Sequence, residues 1–326
     1  MTTQPVRPAA TPGGPFDDRP VVVTGATGRQ GGATARRLLA AGRPVRALVR
    51  DATAPAATAL EAAGAEIVRA DFDDPPSLPA ALEGAAALFA VPPVVYGPAG
   101  PDAERELARG RALADAASAA GVEHVVFTGI ASTPDPLAAS LGKRRIEDYL
   151  RERIRLVTVL RPVRFMSNFL ASPAIGFDGI AGGVHRHIFP PDEPVQIIAL
   201  EDIAEFAMMA FDEPDRFAGR TLELAGDAPT PTEAVAAISA ATGTAVRYEQ
   251  LTHDEAVALS PEIAHARERW TAGARWHADI EVLRVVHPGL RTLTDWLAES
   301  GAAALRARLL GAARPDDGPA RGVPRG

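Results

Sequence analysis

The chain has 326 residues, a formal net charge of −7, and 47% apolar and 23% charged residues, which is enough length and apolar content for it to bury its own core. With no cysteine it excludes disulfides, thiolate metal sites and cysteine nucleophiles, which fits a reducing, cytoplasmic setting. No run of about 18 apolar residues offers a membrane span, the Pro- and Gly-bearing N-terminus lacks the apolar centre of a signal peptide, and the acidic balance with only a short basic tail argues against direct nucleic-acid binding.

Residues 1–18 are expected to form a disordered extension, and 303–326 the end of a helix followed by a disordered basic tail. Between them, short apolar runs alternate with Ala-rich amphipathic stretches. The pattern predicts strands at 21–24, 45–49, 66–69, 87–91, 124–128 and 156–160. It predicts helices at 30–41, 56–63, 77–82, 102–120 and 140–153. This alternation implies right-handed βαβ units and a doubly wound parallel sheet covered on both faces, an α/β Rossmann-type domain over 19–165. Beyond it the pattern loosens into Gly/Pro-rich loops, with helices at 201–211, 232–241 and 295–300 and a strand at 221–224. This portion, 166–302, is expected to form a smaller mixed C-terminal substrate lobe with some strands returning to the main sheet.

The strongest local signal is VVVTGATGRQGG at 21–32, where Gly25, Gly28 and Gly31 follow a strand and open a helix. Such glycines permit a tight turn and close backbone approach, and the helix N-terminus offers N–H groups to a pyrophosphate. The loop residues Gly25, Thr27, Gly28, Arg29 and Gly31 are the expected phosphate contacts, and the G-x-x-G-x-x-G spacing points to the short-chain dehydrogenase branch. The next strand ends in Arg50-Asp51. An acidic residue there suits the ribose 2′-hydroxyl of NAD and an arginine the 2′-phosphate of NADP, so both remain open. Arg29 adds a second positive charge, and the reading favours NADP(H) over NAD(H). Asp71 and Phe72 follow the third strand, where an adenine ring would lie, and Val91 ends the fourth.

With these motifs in hand, the chain resembles the NmrA-like family of atypical short-chain dehydrogenases/reductases. The resemblance runs through VTGATGRQGG, VRALVRD, GAEIVRADFDDP, AGVEHVVFTG, GKRRIEDYL, LRPVRFMSNF, WHADIEVLR and PGLRTLTDWL, in order over roughly residues 20–300. It implies a Rossmann domain that binds NADP(H) and a small substrate lobe. The family holds reductases of isoflavones, benzylic ethers and quinones, and also regulators that bind the dinucleotide without turnover.

Classical short-chain dehydrogenases place Tyr and Lys four residues apart on one helix face. Here the position four before Lys143 is Ala139, so the usual tyrosine is missing, and Ser132 or Thr128 remain as the hydroxyl on the preceding strand end. All but one of the 34 basic side chains are arginine, and the exception is Lys143. The resemblance implies that Lys143 binds the nicotinamide ribose and can serve as a general acid/base, a proton transfer no guanidinium performs. The plainer alternative is a surface lysine on an exposed basic helix start. Asn168, the only asparagine, and Phe165 lie in the segment expected beside the nicotinamide, as substrate contacts or, for Asn168, a local helix cap. Tyr96, after the fourth strand, is a substitute proton donor if it is not simply a packing aromatic. His185 and His187 alternate like a metal pair, but no third ligand is near and solvated loop histidines are expected, so no metal is assigned. His277 is a further substrate-lobe histidine, Tyr149 is expected in the core, and Glu147 is expected to make an ordinary i,i+4 pair with Lys143.

Two functions fit. The first is an NADP(H)-dependent oxidoreductase transferring hydride to an aromatic, quinonoid or enone-type small molecule. The second is a non-catalytic NADP(H)-binding redox sensor acting through a protein partner. Retention of one lysine among so many arginines tilts the balance toward the enzyme.

Overall fold

Val21, Val22 and Val23 are all buried. In the computed structural model, Val22 enters a core shared with helices on one face of a sheet, and the strand period of two sends Val21 and Val23 to the other face. The structure describes residues 18–311 apart from 93–94, 98–99, 134–137 and 173–175. The extension 1–17 and the tail 312–326 lie outside the described residues.

The sheet has seven parallel strands: β1 (Val21–Val23), β2 (Val45–Val49), β3 (Glu66–Arg69), β4 (Ala87–Ala90), β5 (His124–Thr128), β6 (Leu156–Pro162) and β7 (Thr221–Leu224). Their order is β7-β6-β5-β4-β1-β2-β3. The connecting helices are α1 (Arg29–Ala40), α2 (Pro55–Ala62), α3 (Leu78–Leu82), α4 (Ala103–Ala119), α5 (Ala138–Arg153) and α6 (Leu200–Asp212). Helices α3, α4 and α5 bury Leu82, Leu113 and Ile146 against Leu88, Val125 and Phe127 of the sheet. On the other face α1 runs beside α6, tied by Arg37–Glu205 at 2.6 Å and Arg43–Asp212 at 2.5 Å. The chain steps from β1 to β2 to β3 and then returns to place β4 on the opposite side of β1. That reversal opens a crevice at the carboxyl ends of β1 and β4.

Two compact units divide the described chain. The first holds the residues through Val163, Leu200–Ala225 and Ala274–Leu290, and the second holds Arg164–Ala199, Gly226–Gly273 and the residues from Arg291. In the second unit the strand Val184–His187 pairs antiparallel with Ile180–Ala181 and parallel with Arg247–Gln250, and Arg164–Phe165 pairs with Ile197–Ile198. Met166, Phe169, Ile238, Leu293 and Trp296 form its core. The helix Pro231–Thr242 starts with a Thr230/Glu233 capping box and stops at left-handed Gly243. Two helices that hydrophobic periodicity did not signal, His253–Leu259 and Pro261–Thr271, begin at Thr252 and Ser260 caps. Among the described residues no helix is long and apolar enough to cross a membrane, and no three His, Asp or Glu side chains are grouped to hold a metal.

His185 and His187 correct the expectation of solvated loop histidines. Both lie on one face of the Val184–His187 strand and are 3% and 7% exposed. That face packs on aromatic rings: Phe169 stands edge-on to His185 at 4.9 Å and Phe189 stacks on His187 at 4.0 Å. The Gly/Pro-rich flanks hid this strand. Burial works to raise the Asp178 carboxyl, but the Arg164 guanidinium and the His187 ring hold it well below the usual carboxylate range.

Burial also lowers His185 to about 3 and, in the first unit, His124 to about 4. Both rings stay neutral in the folded chain while the unfolded chain takes up protons below about 6.5. Their contribution is therefore intact at neutral pH and is lost as pH falls from about 6.5 toward 4, at about 1.4 kcal/mol per pH unit for each ring. Urea unfolding of a His124→Leu variant is expected to show a shallower loss of stability than the parent between about pH 6 and 5, by about one proton. An unchanged pH slope would contradict the assignment.

Candidate functional site

The crevice begins where β1 ends. The Thr24 hydroxyl accepts the Val91 amide at 2.8 Å, stapling the end of β1 to the end of β4. Gly25 then turns with φ +59°, a conformation that favours glycine. The Gly28 amide closes the turn on the Gly25 carbonyl at 2.8 Å. Gly31 sits one helical turn on, packed so tightly that a β-carbon there would fall 2.6 Å from the Thr24 carbonyl oxygen and closer still to that of Gly25. The first turn of α1 thus lies against the backbone of the strand end. No side chain caps α1 at Gly28, and no acidic residue occupies its first turn. The positive end of the helix dipole is left uncompensated beside the exposed loop crest Thr27, Gly28 and Arg29. A backbone cradle of this kind, without a carboxylate in it, fits a pyrophosphate.

At the end of β2 Arg50 is exposed, while one Asp51 oxygen accepts both the amide and the hydroxyl of Thr53, at 2.8 and 2.6 Å. The Thr53 hydroxyl and amide hold the Asp51 carboxyl below its usual range, so it caps its own turn. Asp71 and Phe72, after β3, are half-buried. The Asp71 amide is held by the Ser77 hydroxyl at 3.0 Å, and Phe72 packs on the core beneath. Val91, after β4, is half-buried at the crevice floor.

Past β5 the site becomes charged. The Thr128 hydroxyl donates to Gln30 Oε1 at 2.6 Å, linking the β5 end to the first turn of α1. Lys143 is 7% exposed rather than a surface lysine, and its ammonium is ion-paired with Glu106 of α4, which is 2% exposed. Glu147 corrects the expected helix pair with Lys143. Its carboxylate is 1% exposed and receives the Arg161 guanidinium at 2.5 Å. Arg161 also donates to the Ser132 hydroxyl at 2.8 Å and to Glu223 at 3.2 Å, and Glu223 accepts the Ser132 amide at 2.9 Å. One arginine thereby joins the ends of β5, β6 and β7 and fixes the strand-end segment carrying Ser132. Gly129 leaves that carboxylate its place, because a β-carbon there would stand 2.5 Å from Glu147 Oε1.

The glycine loop, Arg50, Asp71, Phe72, Val91 and Lys143 all belong to the first unit, whereas Phe165 and Asn168 belong to the second. Phe165 is half-buried at the end of its short strand, and Asn168 is half-buried within the 3₁₀ turn Met166–Leu170, its carbonyl accepting the Ala171 amide at 2.8 Å. The strand Tyr96–Gly97 pairs with Gly100–Pro101, and the Tyr96 side chain lies outside the described residues. His277 is exposed, and Tyr149 is half-buried with its hydroxyl on Asp115 at 2.8 Å. Gln30, Glu106, Arg161 and Glu223 did not stand out in the sequence. Glu106 had a readable signal, since it occupies the inward stripe of α4 that continues through Gly110, Leu113 and Ala117.

A parallel sheet whose strand order reverses beside an uncapped glycine-rich turn defines a Rossmann-type protein of the short-chain dehydrogenase/reductase kind. The chain belongs to the NmrA-like family, whose family model matches residues 17–285. It is 32% identical over 293 residues, 86% of this chain and 97% of the other, to a (4-alkanoyl-5-oxo-2,5-dihydrofuran-3-yl)methyl phosphate reductase of Streptomyces griseus subsp. griseus. It superposes on the NADPH complex of the quinone oxidoreductase QOR2 from Escherichia coli with a TM-score of 0.69 at 25% identity, over 85% of this chain and 98% of that one. The fold is also that of NmrA, a negative transcriptional regulator solved with NADP, at a TM-score of 0.70 and 20% identity over 90% and 98% of the two chains.

Replacing Gly31 by alanine forces the α1 turn off the strand end, and overpacking of this kind costs roughly 1–3 kcal/mol. Chemical denaturation of Gly31→Ala is expected to show that loss. An equally stable variant would mean the turn relaxes freely and is not a built cradle.

Proposed function

We propose that the chain is an NADP(H)-dependent oxidoreductase that transfers hydride to a conjugated small molecule of aromatic, quinonoid or enone type. The observation that carries the reading is the uncapped, carboxylate-free turn at Gly25–Gly31, set at the reversal of strand order. The resemblance over nearly all of a relative named a reductase supports the same class of reaction.

Gly25, Thr27, Gly28 and Gly31 line the pyrophosphate at the turn, the Gly28 amide itself being held by the Gly25 carbonyl. Arg50, with Arg29, meets the 2′-phosphate, a choice supported by the commitment of an Asp51 oxygen to Thr53. Asp71 and Phe72 border the adenine, and Val91 floors the crevice. Lys143 holds the nicotinamide ribose through its ammonium and supplies a side chain able to move a proton, which a guanidinium does not. A bound reduced nicotinamide supplies the hydride. No tyrosine stands four residues before Lys143, so a ready general acid of the usual kind is missing. That suits acceptors activated by conjugation, whose developing oxyanion needs less help from a strong acid. Phe165 and Asn168 contact the substrate, with Tyr96 as a further donor, and the lobe that carries Phe165 and Asn168 selects the small molecule. The protein acts in the cytoplasm.

Two measurements test this reading. Arg50→Ala is expected to weaken NADPH binding at least about tenfold more than NADH binding, since a 2′-phosphate pair is charge-assisted. Equal losses would remove the 2′-phosphate assignment. With a panel of quinones and enones, Lys143→Met is expected to lose turnover by about two orders of magnitude with NADPH affinity largely kept, the size typical of proton transfer by a positioned side chain. NADPH binding by the parent protein with no turnover of any acceptor would favour the sensor instead.

A further inference from the structure

We propose that Glu106 is the positioning residue for Lys143, so that the ammonium assigned above to the dinucleotide ribose is set in place from α4 rather than by its own helix. The inference rests on the role given to Lys143 under the proposed function. The sequence pattern expected Lys143 to pair with Glu147 one turn along α5, but Glu147 is taken by Arg161. The two charges on the inner face of α5 are thereby separated, Lys143 going to α4 and Glu147 to β6. Both members of the Lys143–Glu106 pair are buried, so neither charge has bulk water as an alternative partner. A buried ammonium without its carboxylate is costly, which makes the pair a strong constraint on where the lysine sits.

The packing around the pair is shaped to it. A β-carbon at Gly142 would fall 2.6 Å from Glu106 Oε2 and 3.1 Å from the Ala103 carbonyl oxygen, so a side chain there would crowd the carboxylate in the place it holds beside Lys143. One turn further along both helices, a β-carbon at Gly110 would fall 2.5 Å from Ile146 Cδ1. Two glycines, one on each helix, therefore bring α4 and α5 close enough for the carboxylate to reach the ammonium without exposing either. Hydrophobic residues of similar volume commonly stabilise such a position as well or better.

Because Lys143 is the only lysine in the sequence, its ε-amine can be followed alone by peptide mass spectrometry during acetylation of the intact protein. Glu106→Gln is expected to acetylate at Lys143 at least about fivefold faster than the parent, as loss of the partner frees the amine. It is also expected to lower kcat about tenfold with KM for NADPH little changed, the pattern of a lost transition-state contribution rather than lost binding. The Lys143→Met/Glu106→Gln double variant is expected to be no slower than Lys143→Met alone, because Glu106 acts through the lysine. Glu106→Asp keeps the charge and is expected to restore most of the activity. Should Glu106→Gln fail to fold, the double variant, which leaves no unpaired buried charge, and Glu106→Asp carry the same comparison. Parent-like acetylation and kcat in Glu106→Gln, beside an impaired Lys143→Met, would overturn the positioning role and leave the role of Lys143 standing. Additive losses in the double variant would overturn it too. A fully active Lys143→Met would overturn both the positioning role and the proposed role of the lysine.

Discussion

The architecture depends on one close approach, that of the first turn of α1 to the backbone ending β1. Gly31 lies where a β-carbon would overlap the Thr24 and Gly25 carbonyls, and Gly25 turns through a left-handed conformation to let the chain double back. Thr24 locks the same strand end to Val91 across the point where the strand order reverses. Backbone therefore lies close beside Val91 at this turn, and the dipole of a twelve-residue helix ends there without a capping group. The arginine at the β2 end and the lysine on α5 belong to the same compact unit as that turn.

Away from the turn, charge organises the site. The net charge is −7, yet arginine and lysine are drawn to specific buried or half-buried acids at the carboxyl ends of β5, β6 and β7. Arg161 gathers Glu147, Glu223 and Ser132, and Glu106 takes Lys143. Such groups are expensive to desolvate singly and stable only when their partners are exact in position. The strand-end segment Gly129–Ser132 is held by this set together with backbone bonds from Gly129 and Ala131 to the carbonyls of Leu160 and Pro162. Hydrogen bonds of Ser132 with Arg161 of β6 and Glu223 of β7 fix this strand end in one orientation.

Much of this was legible in the sequence, because α/β order is written in short-range patterns. The strands from β1 to β6, the helices between them and the glycine turn follow from hydrophobic period and from glycine spacing, and structure and pattern agree to within one or two residues at most boundaries. The second unit was less legible. Its strand Val184–His187 has charged and imidazole side chains between Gly/Pro-rich segments, and its burial comes from the adjacent Phe189 and from Phe169 and Tyr248, which are distant in the chain. The helices at His253–Leu259 and Pro261–Thr271 are too short and too polar to show a stripe, and the sequence pattern predicts neither; the structure shows them starting at Thr252 and Ser260 caps. The pairing of Lys143 with Glu106 rather than Glu147 could not be read from spacing, because helix periodicity ranks partners on one helix and says nothing of a carboxylate across the interface.

The central claim is that a dinucleotide held at the glycine turn passes hydride to a conjugated acceptor. The most direct test is to turn over an enone with NADPH carrying deuterium at the reactive C4 position of its nicotinamide and to analyse the reduced product. The account predicts one deuterium at the carbon β to the carbonyl, from one face of the ring only. Tight NADPH binding with neither oxidation of the cofactor nor label in any product of a broad acceptor panel would contradict it.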